Sequence, residues 1–231
     1  DFVFTVQVNN GAYYPTVNLF EDNVPGPTIP ATWTTNSTTS TNWSISNTRS
    51  FSPTSSFFSS NLDVQSDQKL TLTNAIALTA TPPPLTFRHW YSTESQYDGG
   101  VLEISTNDGA TWTDMQTNIL NGGYTAAMDA TTLLANRNAW SGSSNNKFIK
   151  TKVNLTPFAN QSVKIRFRFT SDVGTNLEGW YIDNIAIKDQ AVVEMQSNLF
   201  NATNFRVQTS DTVTVILPAN TCTNATITTA P

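Results

Sequence analysis

The sequence predicts an all-β sandwich, and three observations carry that reading. Apolar and polar residues alternate with period two in one short segment after another. Turn-forming residues separate the segments, and no long run keeps the 3.6-residue period of a helix. At 231 residues the chain is long enough to bury a substantial core without staples, as one large β domain with extra strands.

The elements follow in order. "DFVFTVQV" precedes the main pattern, and residues 1–18 read as an N-terminal strand or the end of a preceding module. From Thr34 to Ser60 the chain is rich in Ser and Thr, yet Trp43, Ile45, Phe51, Phe57 and Phe58 supply apolar anchors for short strands and loops. "KLTLT" is a strand candidate. "LTFRHWYS" sets Leu85, Phe87, His89 and Tyr91 on one face and Arg88 and Trp90 on the other.

"VLEIS" follows, then Asn107-Asp108-Gly109, whose residues tolerate left-handed angles and turn the chain into "ATWTDM". The whole stretch "STNDGATW" is one residue away from the Asp-box pattern S-x-D-x-G-x-T-W of sialidase propellers. A propeller repeats its blade and this pattern occurs once, so it reads as a hairpin. The connection from Asn118 to about Lys147 contains one helix-compatible run, "DATTLLANRN", and is long enough to be functional or packed in its own right.

"SVKIRFRFT" points Val163, Ile165, Phe167 and Phe169 one way and Lys164, Arg166 and Arg168 the other, as a strand with one buried and one solvated face requires. "GWYIDNIAI" is apolar on both faces and suits a central strand covered on both sides. Beyond it, residues 191–231 carry more strand-like runs, "DTVTVIL" among them. They are either extra strands on the same sandwich or the start of a following module.

Composition narrows the function. Charged residues make up 13% of the chain and the formal net charge is -5. No basic run interleaves with aromatics, so nucleic acid is not an expected partner. No apolar stretch approaches the roughly 18 residues of a membrane span. Cys222 is the only cysteine, which excludes an internal disulfide and a thiolate metal cluster. The N-x-S/T sequons at Asn36, Asn42, Asn154, Asn160, Asn201 and Asn224 are what a chain so rich in Asn, Ser and Thr yields by chance.

An enzyme needs an acid, a base or a nucleophile. His89 is the sole histidine, no G-x-S-x-G elbow accompanies it, and H-E-x-x-H is absent. Its mid-strand position beside Phe87 and Tyr91 reads as a packed, hydrogen-bonded histidine. Glycoside hydrolysis needs only two carboxylates, and Glu94, Asp98 and Glu103 lie close in sequence. Glu94 and Asp98, however, sit in "TESQYDGG", where Asp-Gly-Gly is ordinary hairpin chemistry, and Glu103 sits mid-strand. The chain therefore reads as non-catalytic.

The order of motifs adds a resemblance. "LFED" (19–22), two Trp-bearing segments, "LTFRHWYSTESQYDGGVLEISTNDGATWTDM" (85–115), "NAWSGSS" (138–144), "VNLTPFANQSVKIRFRFTSD" (153–172) and "EGWYIDNIAI" (178–187) succeed one another. Together they resemble the MAM-like, galactose-binding-like jelly-roll modules found beside the catalytic domains of secreted bacterial peptidases of the immune inhibitor A type, and in cell-surface proteins. The resemblance implies a two-sheet antiparallel jelly roll over residues 19–190 with additional N- and C-terminal strands. It also implies a non-catalytic accessory role in an extracellular, secreted or cell-surface protein, with neighbouring domains of a larger parent chain as partners.

It further implies a structural calcium, Ca2+, held by Glu21 and Asp183, with carbonyls near Asn23 and the segment around Ser46 and Asn47 as further ligands. Asp183 is an acid in an otherwise apolar strand and demands a partner. Backbone amides or an arginine are the alternative to the ion. Asn184 stands where many relatives carry a second aspartate. For ligand binding, exposed aromatics stack on sugar rings. Trp90 and Tyr124 are the candidates, with Arg137 and Trp140 in the same long loop as Tyr124, and Trp140 more an anchor than a platform. The row Lys164, Arg166, Arg168 is a solvated face or a contact for an acidic glycan. Carbohydrate binding and an adhesin-type interaction with glycans or a surface protein stand as alternatives to the accessory role.

Overall fold

The computed structural model describes residues 17–24 and 26–189, together with the strand segments Phe4–Thr5, Val193–Glu194, Phe205–Arg206 and Val215–Ile216. Cys222, Asn201 and Asn224 lie outside the described residues, as do most of "DFVFTVQV" and "DTVTVIL". The chain divides into two units, residues 18–188 and a second one made of residues 1–17 with 189–231. In the second unit β1 (Phe4–Thr5) pairs in parallel with β18 (Phe205–Arg206), and β17 (Val193–Glu194) with β19 (Val215–Ile216).

Residues 18–188 form two antiparallel sheets. The first has the order β10-β9-β15-β6-β3: Thr113–Asp114, Gly99–Ser105, Ser162–Ser171, Ser66–Leu72 and Trp33–Ser37, with β7 (Ile76–Ala77) added to β15. The second has the order β11-β14-β8-β16-β5-β4: Ile119–Asn121, Ile149–Val153, Leu85–Ser92, Gly179–Lys188, Ser56–Ser60 and Ser44–Ser46. β2 (Asn18–Asp22) joins β16 along its second half, opposite residues 185–188, while β5 pairs with residues 179–182. A small hairpin, β12 (Ala126–Ala127) with β13 (Asn138–Ala139), organises the long connection. The run "DATTLLANRN" makes successive turns closed by Thr132 N to Asp129 O, Ala135 N to Thr132 O and Arg137 N to Leu134 O.

The core fills the space between the sheets as the alternation requires. Val163, Ile165, Phe167 and Phe169 of β15, with Leu70, Leu102 and Ile104 beside them, meet Leu85, Phe87, Tyr91, Trp180 and Ile182 from the opposite sheet, all buried. Trp180 is its centre, with rings of Trp43, Trp140, Phe167 and Phe169 around it at 5.6–6.3 Å. Gly100 makes room for it: a Cβ on Gly100 would run into the Trp180 indole.

The strand "GWYIDNIAI" is covered on both faces, but not by a third sheet. A bulge between Asp183 and Ala186, with Asn184 at φ 50°, marks where the edge partner changes from β5 to β2. The loop before β5 folds over the outer face there, and its Phe51 and Ser52 amides point onto Asp183.

"STNDGATW" is the hairpin the sequence predicts, with Ile104 opposite Thr113. Asp108 and Gly109 take the positive φ angles, 58° and 93°. The Asn107 amide oxygen accepts from Ser105 Oγ at 2.9 Å and from the Thr111 amide at 2.9 Å, so asparagine does the work of the missing aspartate.

Candidate functional site

Three polar constellations stand out, and each begins with strand alternation. On the outer face of the first sheet, Glu103 lies directly opposite Arg166 on one side and Asp114 on the other. Glu103 is 4% exposed and accepts from Arg137 Nη1 at 2.7 Å and Arg166 Nε at 2.5 Å. Arg137 also grips Asp114 at 2.6 Å, Arg168 pairs with Asp67 at 2.9 Å, and Lys164 pairs with Asp108 at 2.7 Å. The basic row of β15 is thus laced to acids, and Arg137 is one of its ties. Burial pushes the Asp67 carboxyl up, but Arg168 and Lys69 beside it hold it below the usual range.

On the outer face of the second sheet, Trp90 departs from the expected exposed platform. It points away from the core, but it is 5% exposed because Arg49 lies 4.0 Å over its ring and Tyr181 packs edge-on at 5.6 Å. Arg49 is fixed in turn by Glu178, with Nε to Oε1 at 2.5 Å and Nη2 to Oε2 at 2.8 Å. Burial, with a hydrogen bond to Glu178, pushes the Tyr181 phenol up to about 12. Tyr124 is half-buried: it packs on Trp140 at 4.6 Å, and its hydroxyl meets Asp114 at 3.0 Å and the Leu102 amide at 3.0 Å. Trp140 is 1% exposed and donates to the Gly122 carbonyl at 2.9 Å, an anchor for the loop. Trp90, Tyr124, Arg137 and Trp140 therefore do not converge on one open surface. Periodicity read their direction, but it carried no signal of what lies over them.

Asp183 is fully buried and accepts from the Phe51 and Ser52 amides at 2.7 and 2.9 Å and from the Asn184 amide at 2.7 Å. The Ser52 hydroxyl adds a longer contact at 3.3 Å. Burial raises its pKa in spite of these donors. Glu21 is exposed and pairs with Lys188, which holds its carboxyl below the usual range, and Asn23 Nδ2 reaches it at 3.5 Å. The donors at Asp183 are N–H and O–H groups, so a cation there would have to displace them.

The third constellation is at one end of the sandwich. Glu94, Asp98 and Asp172 bring carboxylate oxygens within 4.8 Å of one another. Asp98 is 1% exposed, and it accepts from the Asp172 amide at 2.8 Å and from Asn61 Nδ2 at 2.9 Å. Burial raises both Asp98 and Asp172, and the neighbouring acids push further in the same direction. Sequence proximity pointed to Glu94 and Asp98 together; only the fold adds Asp172 and Asn61.

His89 is packed as its strand position predicts. It is fully buried, and burial lowers its pKa to about 3. Trp180 Nε1 donates to Nδ1 at 3.1 Å, so Nε2 carries the proton and donates to Thr151 Oγ1 at 3.0 Å, which passes its own hydrogen to Gly122 O at 2.8 Å.

These features define a two-sheet antiparallel β-sandwich module whose central histidine and outer-face charges are built into its framework. The chain belongs to the immune inhibitor A-like MAM domain family, whose model matches residues 37–208. No curated protein sequence matches it. Among solved structures it is similar to the K1 cleaved adhesin domain of Lys-gingipain from Porphyromonas gingivalis W83, with TM-score 0.47, 16% identity, and 77% of this chain and 100% of that chain covered. It is also similar to the glycoside hydrolase domain of Endo-D from Streptococcus pneumoniae R6, with TM-score 0.41, 11% identity and 70% and 22% coverage. A carbohydrate-binding module of the β-sandwich superfamily aligns with TM-score 0.37, 12% identity and 69% and 57% coverage. Among the described residues no helix is long and apolar enough to cross a membrane.

Proposed function

We propose that this chain is a non-catalytic accessory module of an extracellular protein, a rigid β-sandwich that supports or positions a larger polypeptide. The observation that carries the reading is His89. The sole histidine is sealed between Trp180 and Thr151 with both ring nitrogens bonded, and a general base must reach its substrate. Glu103, the mid-strand carboxylate, is likewise held between Arg137 and Arg166. The extracellular setting is supported by the family, which resembles modules carried beside secreted peptidases.

The test is a panel of chromogenic glycoside, ester and peptide substrates with purified protein, alongside affinity gels containing polysaccharides. No turnover above buffer and no retention is the expected result. Turnover that disappears in Glu94→Gln or Glu103→Gln protein would overturn the non-catalytic reading, and specific retention would replace the supporting role with carbohydrate binding.

A further inference from the structure

We infer that the outer face of the second sheet around β14 binds an extended acidic peptide segment, with Lys150 and Lys152 meeting its carboxylates and Phe51 and Phe148 an apolar side chain. The inference rests on the reading of the chain as a module that positions a larger polypeptide, and it names the chemistry of that polypeptide. It begins with charge. Lys69, Lys164 and Lys188 each pair with a carboxylate. Among the described residues no ion pair includes Lys147, Lys150 or Lys152, which fall in one short run of chain. In a chain of formal net charge -5, the lysines without an acid are thus gathered at one place.

Alternation gives these lysines their direction. Thr151 turns inward, where its hydroxyl meets His89, and Val153 is buried in the core, so Lys150 and Lys152 face outward. Lys150 lies directly opposite Arg88 of β8, and Lys152 lies opposite Thr86 on one side and Asn121 on the other. No acid stands across from either lysine, and like charges directly opposite one another, as at Lys150 and Arg88, are destabilising. Asp183 follows Arg88 in the same row, but it is fully buried and takes the Phe51, Ser52 and Asn184 amides. The apolar part comes from the loop before β5. Phe51 is 48% exposed, has the Arg88 guanidinium 4.2 Å from its ring, and meets Phe148 edge-on at 6.1 Å. The two amide bonds to Asp183 hold Phe51 in place, so the platform is formed before a partner arrives.

Spacing and the mixed chemistry select the partner. Lys150 and Lys152 are alternate residues of one strand, so their side chains leave the sheet about 6.4–6.8 Å apart, and Phe148 precedes them by the same step of two. Alternate side chains of an extended peptide have that same period. A peptide with an acid at every second position, laid along β14, sets one carboxylate on each ammonium group, and an apolar side chain two residues further on reaches Phe148 and Phe51. Each lysine donates to an ionised acceptor, the stronger kind of hydrogen bond, and a carboxylate at Lys150 also offsets its repulsion from Arg88. A uronate polysaccharide carries acids as well, but it has no phenyl or aliphatic side chain to set against Phe51.

The test is fluorescence anisotropy of a labelled eight-residue peptide, with glutamate at every second position and one phenylalanine, titrated with the whole chain. Saturable binding that weakens as salt is raised is the expected result. Lys150→Gln combined with Lys152→Gln is expected to raise the dissociation constant about five- to thirtyfold. The same double variant is expected to melt no lower than the native chain, because it removes the like charge opposite Arg88. Phe51→Ser is expected to weaken this peptide but not one with serine in place of its phenylalanine, and Lys164→Gln, on the other sheet, is expected to bind as the native chain does. No saturable binding below about 1 mM would overturn the site. So would equal binding of a peptide of the same composition with its glutamates contiguous, or a loss in Lys164→Gln that matches the double variant. Binding of polygalacturonate or of phosphatidylserine vesicles through Lys150 and Lys152, with none of the peptide, would give the face to another acid and overturn the peptide. The substrate and polysaccharide panel reports on the accessory role by itself, so a peptide that fails while that panel stays silent removes this site and leaves the role standing.

Discussion

Trp180 Nε1 donates to His89 Nδ1 at 3.1 Å in the middle of the core, and this bond decides the chemistry of the only imidazole. With Nδ1 an acceptor, the ring is neutral and carries its proton on Nε2. Nitrogen shifts of the imidazole are expected to show that neutral tautomer unchanged from pH 8 to pH 5. A ring that titrates near its ordinary value in the folded protein would contradict the structure.

The same burial makes His89 an acid-labile element. Its folded pKa, about 3, lies below the unfolded value of 6.5, so between those limits the unfolded chain binds the proton and the folded one does not. Its share of stability is complete above pH 6.5 and falls as the pH drops, by about 1.4 kcal/mol per pH unit. Urea unfolding at pH 7 and pH 5 is expected to show about 2 kcal/mol more loss in the native sequence than in His89→Gln. Equal losses in the two proteins would remove His89 from the account.

Gly100→Ala places a methyl group against the Trp180 indole, which the His89 bond and four neighbouring rings hold in place. Overpacking of this kind costs about 1–3 kcal/mol. The expected signature is that loss in urea unfolding together with a weakened near-ultraviolet circular dichroism signal from tryptophan.

Asp183→Asn keeps the volume but removes one acceptor oxygen from the Phe51, Ser52 and Asn184 amides. A lost bond to a charged acceptor costs about 1.5–3 kcal/mol. The Phe51 and Ser52 amides are expected to exchange with solvent at least tenfold faster, while amides of β15 change only with global stability. Unchanged exchange at Phe51 and Ser52 would show that Asp183 does not hold the loop.

Glu103→Gln leaves Arg137 and Arg166 without their shared carboxylate on the sheet face. The arginines keep partial solvent access, so the expected cost is about 1–3 kcal/mol, below that of a fully buried pair. Arg137 still has Asp114, and Arg137→Ala together with Glu103→Gln is expected to be less destabilising than the sum of the two single changes.

Direction was legible in the sequence; cover was not. Period-two alternation sends Phe167 inward and Arg166 outward whatever surrounds the strand, so the buried face of β15 and the packed state of His89 followed from spacing alone. Trp90 was read correctly as facing away from the core. It was read as open because nothing in its own strand announces that Arg49, forty-one residues earlier, lies on its ring. Asp183 was legible as an acid needing a partner, and the Phe51 and Ser52 amides that meet it come from a loop whose path no local pattern records.

The sequence by itself determined the all-β class, the strands and their faces, the hairpin at "STNDGATW" and the lack of a histidine free for catalysis, because each depends on a few neighbouring residues. The tertiary structure alone decided which outer-face side chains are covered, which acid each arginine meets, and that Asp172 and Asn61 come to stand beside Glu94 and Asp98. Those four residues lie on three separate stretches of chain, and what unites them is the order in which strands pair across two sheets. That order is set by the packing of the whole core, with Trp180 at its centre, and no single segment encodes it.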